Sequence, residues 1–159
     1  MLRVIGLVLG TVFIASGAST AQALDIRPHE APAVCEPGKT QVSVTVTGVT
    51  PKGILAVELY RPSDKDFLKK ASRVHRIRVP AAADRQTVCF DVPSAGTYAV
   101  ATYHDKNGDR DLAQKWNKMP KEPFGLSTNQ KLKFGIPSFY DAAFEVPEGG
   151  KAITIALVK

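Results

Sequence analysis

Residues 41–47 read Gln-Val-Ser-Val-Thr-Val-Thr. Val42, Val44 and Val46 alternate with Ser43, Thr45 and Thr47, and successive side chains of an extended chain point to opposite faces. This period of two therefore gives one apolar and one polar face to a strand, whereas a helix would scatter both sets around its circumference. The pattern recurs at 54–60, where Leu55, Val57 and Leu59 face one way, and at 152–158, where Ile153, Ile155 and Leu157 do. Each such strand must bury one face and expose the other, so the chain needs a second apolar layer to cover its strands.

Four further runs read as strands: 74–79, 87–92, 97–104 and 142–146. Turn chemistry separates them, as in Pro51-Lys52-Gly53, Pro93-Ser94-Ala95-Gly96 and Pro147-Glu148-Gly149-Gly150. Seven short strands without long helical patterns predict an all-β domain, a seven-stranded antiparallel β-sandwich of immunoglobulin-like or transthyretin-like form. A closed barrel is the alternative. The sandwich is expected to span residues 40–159, preceded by an extended arm at 24–39 that carries Pro28, Pro32 and Pro37.

Residues 1–23 have the form of a signal peptide. Arg3 precedes an apolar run from Val4 to Ile14, and small residues lead to Ala21-Gln22-Ala23. The run is shorter than the roughly 20 residues that span a bilayer. Cleavage after Ala23 is expected, giving a periplasmic or secreted chain that does not span the membrane. The formal net charge of +6 then points away from nucleic acid and toward anionic envelope surfaces or simply a solvated basic surface. The two cysteines, Cys35 and Cys89, are expected to form a disulfide in an oxidising compartment. Arg73, Arg76 and Arg78, with Lys69 and Lys70, make a basic cluster that either binds an acidic polymer or keeps an edge strand from pairing.

One connection is too long. Residues 105–141 amount to 37 residues without a strand-like run, yet they hold Trp116, Phe124, Phe134, Phe139 and Tyr140. A disordered linker would be poor in aromatics, so an ordered excursion packed on the sandwich is expected. His104, Trp116, Lys121, Glu122, Phe124 and Ser127 form its candidate binding surface. Asp105, Asn107, Asp109 and Asp111 place oxygen side chains at alternate positions, as a calcium loop does. Yet Gly108 stands fourth and Trp116 twelfth in that run, where a helix–loop–helix calcium site has Gly sixth and Glu twelfth. The same residues also suit a plain polar turn.

The stretch Gly96-Thr97-Tyr98-Ala99-Val100, the turn His104-Asp105-Lys106-Asn107-Gly108-Asp109, Pro120-Lys121-Glu122-Pro123-Phe124-Gly125-Leu126-Ser127 and Ser138-Phe139-Tyr140-Asp141-Ala142 occur in this order. Together they resemble DUF2141, a family of uncharacterised bacterial exported proteins, over roughly the length of one domain. Relative to that pattern, Ala113 follows Leu112 where family members tend to have another Asp, which counts against a metal site here. The resemblance implies a fold and brings no activity. Three functions are therefore weighed. The first is a non-enzymatic envelope module that binds a protein, peptide or glycan and carries no cofactor. The second is a structural domain stabilised by Ca2+ at the Asp105 loop. The third is a small hydrolase built on His104, which lacks a nucleophile motif.

Overall fold

The computed structural model describes residues 23–115, 120–130 and 136–159. Eight strands form two sheets: β1 (Gln41–Thr47), β2 (Ile54–Tyr60), β3 (Arg73–Pro80), β4 (Arg85–Asp91), β5 (Gly96–Asp105), β6 (Phe124–Leu126), β7 (Ala143–Val146) and β8 (Lys151–Ala156). One sheet has the order β4-β1-β8, the other β3-β2-β5-β6, with β7 also paired to β5. Val42, Val44 and Val46 of β1, Phe90 of β4 and Ile155 of β8 meet Leu55, Val57, Leu59, Ile77 and Val100 of the opposing sheet in one buried core. The alternation of β1 thus survives as burial on one face and partial exposure of Ser43, Thr45 and Thr47 on the other.

Three features depart from the sequence reading. There are eight strands, because Phe124–Leu126 forms a three-residue strand inside the long connection. Three residues are too few to show a period. The fold is also not purely antiparallel: β1 and β8 pair in parallel, Val42 opposite Lys151 through Thr47 opposite Ala156. These strands lie near opposite ends of the domain, so no hairpin constrains their direction. Third, Phe139–Ala142 forms one helical turn, α1, capped by the Ser138 hydroxyl, which accepts the Asp141 N–H.

The β2 strand is buried at all seven positions, unlike the half-buried strand its pattern suggested. Its outer face carries Ala56, Glu58 and Tyr60, which align across β5 with Tyr103, Ala101 and Ala99. Two small clusters cover this face. Phe67, Leu126, Phe139 and Ala142 pack on Tyr60 and Ala99, while Phe124 packs on Ala56 and Tyr103 with Leu112 beside it. The expected ordered excursion is therefore in part a second layer over the five-stranded sheet. Gly125, between Phe124 and Leu126, faces inward, where an added Cβ would lie 2.5 Å from Ile155 Cγ2. Gly53 closes the turn before β2 with φ +77°, and a Cβ there would stand 2.1 Å from the Asp105 carbonyl oxygen. Only glycine lets either backbone approach so closely.

The arm is bound down rather than loose. Pro28–Glu30 forms a single 3-10 turn. Ala33 N–H donates to the Cys89 carbonyl at 2.9 Å. Cys35 and Cys89 form the expected disulfide, with Cα atoms 5.3 Å apart and a sequence separation of 54.

Two outcomes follow from this packing. Replacing both cysteines, C35S with C89S, should lower unfolding free energy by roughly 4 kcal/mol, the loop-closure value for a ring of this size; urea denaturation of oxidised wild type and variant measures it. Gly125→Ala should cost about 1–3 kcal/mol through overpacking against Ile155, and an unchanged urea midpoint would contradict the close β6–β8 contact.

Candidate functional site

The Asp105 and Asp109 carboxylates accept local hydrogen bonds. Asp105 is fully buried. Its Oδ1 accepts the Gly108 N–H at 2.6 Å and its Oδ2 the Arg110 N–H at 2.7 Å. The Asn107 amide donates to Asp109 at 2.6 Å, and Asp109 accepts the Asp111 N–H at 2.9 Å. These are the bonds of a self-capping polar turn, with Gly108 at φ +72° and Arg110 at φ +72°. Among the described residues no group of three or more His, Cys, Asp or Glu side chains is placed to hold a metal ion. Asp105, Asn107 and Asp109 thus build a turn that the Asp111 N–H closes.

The candidate binding surface is largely turned inward. His104 is fully buried, and its Nε2–H donates to the Lys52 carbonyl at 2.7 Å. Phe124 is in the second-layer core. The Ser127 hydroxyl, also buried, accepts the Val100 N–H at 3.0 Å and donates to the Ala142 carbonyl, tying β5 to α1. Glu122 is half-buried and accepts the Lys106 N–H at 3.1 Å, while its Oε2 has no partner among the described residues. Burial pushes the Glu122 carboxyl above its ordinary pKa; the Lys106 hydrogen bond opposes this, and the Asp105 and Asp109 charges add to it. Lys121 is exposed, and Trp116 lies outside the described residues. His104, Phe124 and Ser127 therefore supply structural pegs, because the same side chains that suggested a surface are what an uncovered sheet face needs.

The basic cluster of β3 has a different outcome. As the edge of its sheet, β3 fits the edge-protection reading. However, Arg78 is only 1% exposed at its side chain, so it does not guard an edge from solvent. Arg76 and Arg78 align with Glu58 and Ala56 on the outer sheet face. The arm and the long segment close over them. Arg78 donates to Glu30 of the arm, to the Tyr103 hydroxyl at 3.1 Å and to the Arg110 carbonyl at 3.0 Å. Arg110 donates to the same Glu30 Oε1 at 3.0 Å. A parallel group lies one step along the strand, where Arg73 at 3.2 Å and Arg76 both donate to Glu58 Oε1, and the Tyr60 hydroxyl donates to Oε2.

A cleft of about 630 Å³ opens beside these groups. Arg27 and Glu30 of the arm, Lys70 of the β2–β3 connection, Arg73 and Arg76 of β3 and Arg110 of the long segment line it. The arginines of β3 were legible in sequence as a cluster. Glu30, Glu58 and Arg110 were not, since nothing in their local sequence marks them as partners of a strand far away in the chain.

The architecture is a two-sheet β-sandwich with a basic cleft beside β3. Residues 44–154 match the family model described as "Uncharacterized protein conserved in bacteria (DUF2141)", and the chain belongs to this family. No significant match is found among curated proteins or among solved structures.

Burial works against ionisation of Glu30, but the Arg27 N–H and the Arg110 and Arg78 guanidiniums outweigh it and hold its pKa at about 2, down from 4.5. Its stabilising contribution is complete above the unfolded pKa of 4.5 and is lost as pH falls toward about 2. Unfolding free energy should therefore drop over that window in wild type, and Glu30→Gln should flatten the drop. At neutral pH the same variant should cost about 3 kcal/mol, since it leaves Arg78 buried without its counter-charge. Acid and urea titrations followed by circular dichroism provide both readings.

Proposed function

We propose that the protein is an exported, non-enzymatic binding module of the bacterial envelope that captures an anionic ligand in the cleft beside β3. One observation carries this reading: two pairs of guanidiniums each share a single carboxylate oxygen, Arg73 with Arg76 on Glu58 and Arg78 with Arg110 on Glu30. These pairings hold the arginines in place, and Arg27, Lys70, Arg73, Arg76 and Arg110 around the cleft exceed Asp25, Glu30 and Glu58 by two positive charges, which concentrates anions. Export is supported by the signal-peptide pattern and by a disulfide of the kind that persists in oxidising compartments. Among the described residues no helix is long and apolar enough to cross a membrane, which is compatible with an exported protein. The absence of catalysis is part of the proposal, supported by the structural use of His104, Ser127 and Asp105.

The test pairs wild type with a variant carrying Arg27→Gln and Lys70→Gln, two exposed residues at the cleft rim. Wild type should be retained on phosphocellulose and carboxymethyl-cellulose at low salt and elute at a higher salt concentration than the variant, with equal melting temperatures. Identical elution of the two proteins on both matrices would remove the cleft from the binding surface. Mass spectrometry of the protein recovered from cells should show a chain that starts near Leu24, and an intact N-terminus would overturn the export reading.

A further inference from the structure

We infer that the cleft is a site for a phosphomonoester group, carried by a small soluble molecule or by a lipid headgroup. The inference rests on the binding reading above and specifies its ligand. Charge comes first. The cleft is lined by the basic side chains of Arg27, Lys70, Arg73, Arg76 and Arg110, against the carboxylates of Glu30 in its wall and of Asp25 and Glu58, which pair with those arginines. Glu30 and Glu58 are already fully engaged, because their second oxygens take the Arg27 N–H at 3.2 Å and the Tyr60 hydroxyl. Asp25 is exposed, 4.0 Å from Arg27 and 3.4 Å from Arg110. Among the described residues Lys70 has no ion pair. These five cations against three carboxylates leave an excess of two positive charges, which matches the charge of about −2 that a phosphomonoester carries near neutral pH. A phosphodiester or a single carboxylate supplies half of that.

Geometry points the same way. The cationic side chains come from four separate segments: the arm, the β2–β3 connection, β3 itself and the long segment. They therefore approach a bound group from several sides. A tetrahedral phosphate offers oxygens in several directions, whereas a planar carboxylate matches a single guanidinium fork. Three of the arginines are already held in place: Glu58 fixes Arg73 and Arg76, and Glu30 with Asp25 fixes Arg110, which lowers the ordering cost of binding. The volume of about 630 Å³ suits a small molecule or a headgroup rather than a folded partner.

Calorimetric titrations with glycerol 1-phosphate, inorganic phosphate and acetate test the class, and flotation with vesicles tests the source. Vesicles of phosphatidylcholine alone, with phosphatidic acid or with phosphatidylglycerol separate a monoester headgroup from a diester one. Glycerol 1-phosphate and inorganic phosphate should bind more tightly than acetate, and the variant with Arg27→Gln and Lys70→Gln should bind them roughly tenfold more weakly at unchanged melting temperature. Flotation only with phosphatidic acid assigns the headgroup source; binding of glycerol 1-phosphate without flotation assigns the soluble one. Equal affinity for acetate, or equal flotation with phosphatidylglycerol, overturns the phosphomonoester while leaving the anion-binding cleft intact. Absence of any phosphate binding overturns it as well, and retention on carboxymethyl-cellulose alone would then show that the broader reading survives. A charge-conserving Lys70→Arg variant should restore most of the affinity that Lys70→Gln loses.

Discussion

Arg78 sits on the outer face of the edge strand β3 with its guanidinium withdrawn from water. A charge in that position is costly unless it is paired and hydrogen-bonded. Its partners come from three segments that are distant in sequence: Glu30 in the arm, Tyr103 in β5 and the Arg110 carbonyl in the long segment. Satisfying one side chain thus requires that the arm and the long segment both dock. The sandwich core alone would leave this face wet. A buried ion cluster is weak as a source of net stability compared with an apolar replacement, but losing one member is severe. Its effect is to make docking of the two coverings mutually dependent.

The same face explains how a small two-sheet domain carries so long a connection. A five-stranded sheet with a core on one side has a second side to manage. Tyr60, Ala99 and Ala56 on that side are covered by Phe67, Phe139, Leu126 and Phe124. Aromatics placed by short pegs such as Ser127 and the capped turn at Ser138 do this without a full helix or an extra sheet. Near β3 the apolar covering gives way to the charged groups, and there the cleft remains.

Much of the fold was legible because period-two alternation is strictly local. The bounds of β1 and β2 agree with their patterns, since Val42, Val44, Val46 and Leu55, Val57, Leu59 all face the core. The disulfide was legible from compartment and count alone. The parallel β1–β8 pairing and the strand Phe124–Leu126 were hidden, because pairing direction is a tertiary fact and three residues carry no period. At the site the arginines of β3 stood out, but their reading as edge protection missed the arm above them. Glu30 lies among prolines in a segment that reads only as extended. The oxygen-rich run at Asp105 left two readings open, because ligand-like spacing and self-capping turns use the same side chains; the N–H donors on Asp105 show the turn bonds.

The disulfide and the arm together have a kinetic side. Cys35 and Cys89 close a covalent ring that contains β1, β2 and β3. Glu30 hangs outside that ring on a leash of only five residues from Cys35, a reach of at most about 17 Å. Once the ring is closed, the carboxylate searches a small volume around the edge where β3 and β4 meet, and its effective concentration at Arg78 is on the order of millimolar or more. With the ring open, the arm would be held by the Ala33–Cys89 hydrogen bond, by the Gln41 amide on the Val34 carbonyl at 2.8 Å and by the chain leading into β1, and an undocked arm would be recaptured more slowly. The disulfide thus adds a covalent anchor, beside the Ala33–Cys89 hydrogen bond, to the arm that carries Arg27 and Glu30 into the cleft wall.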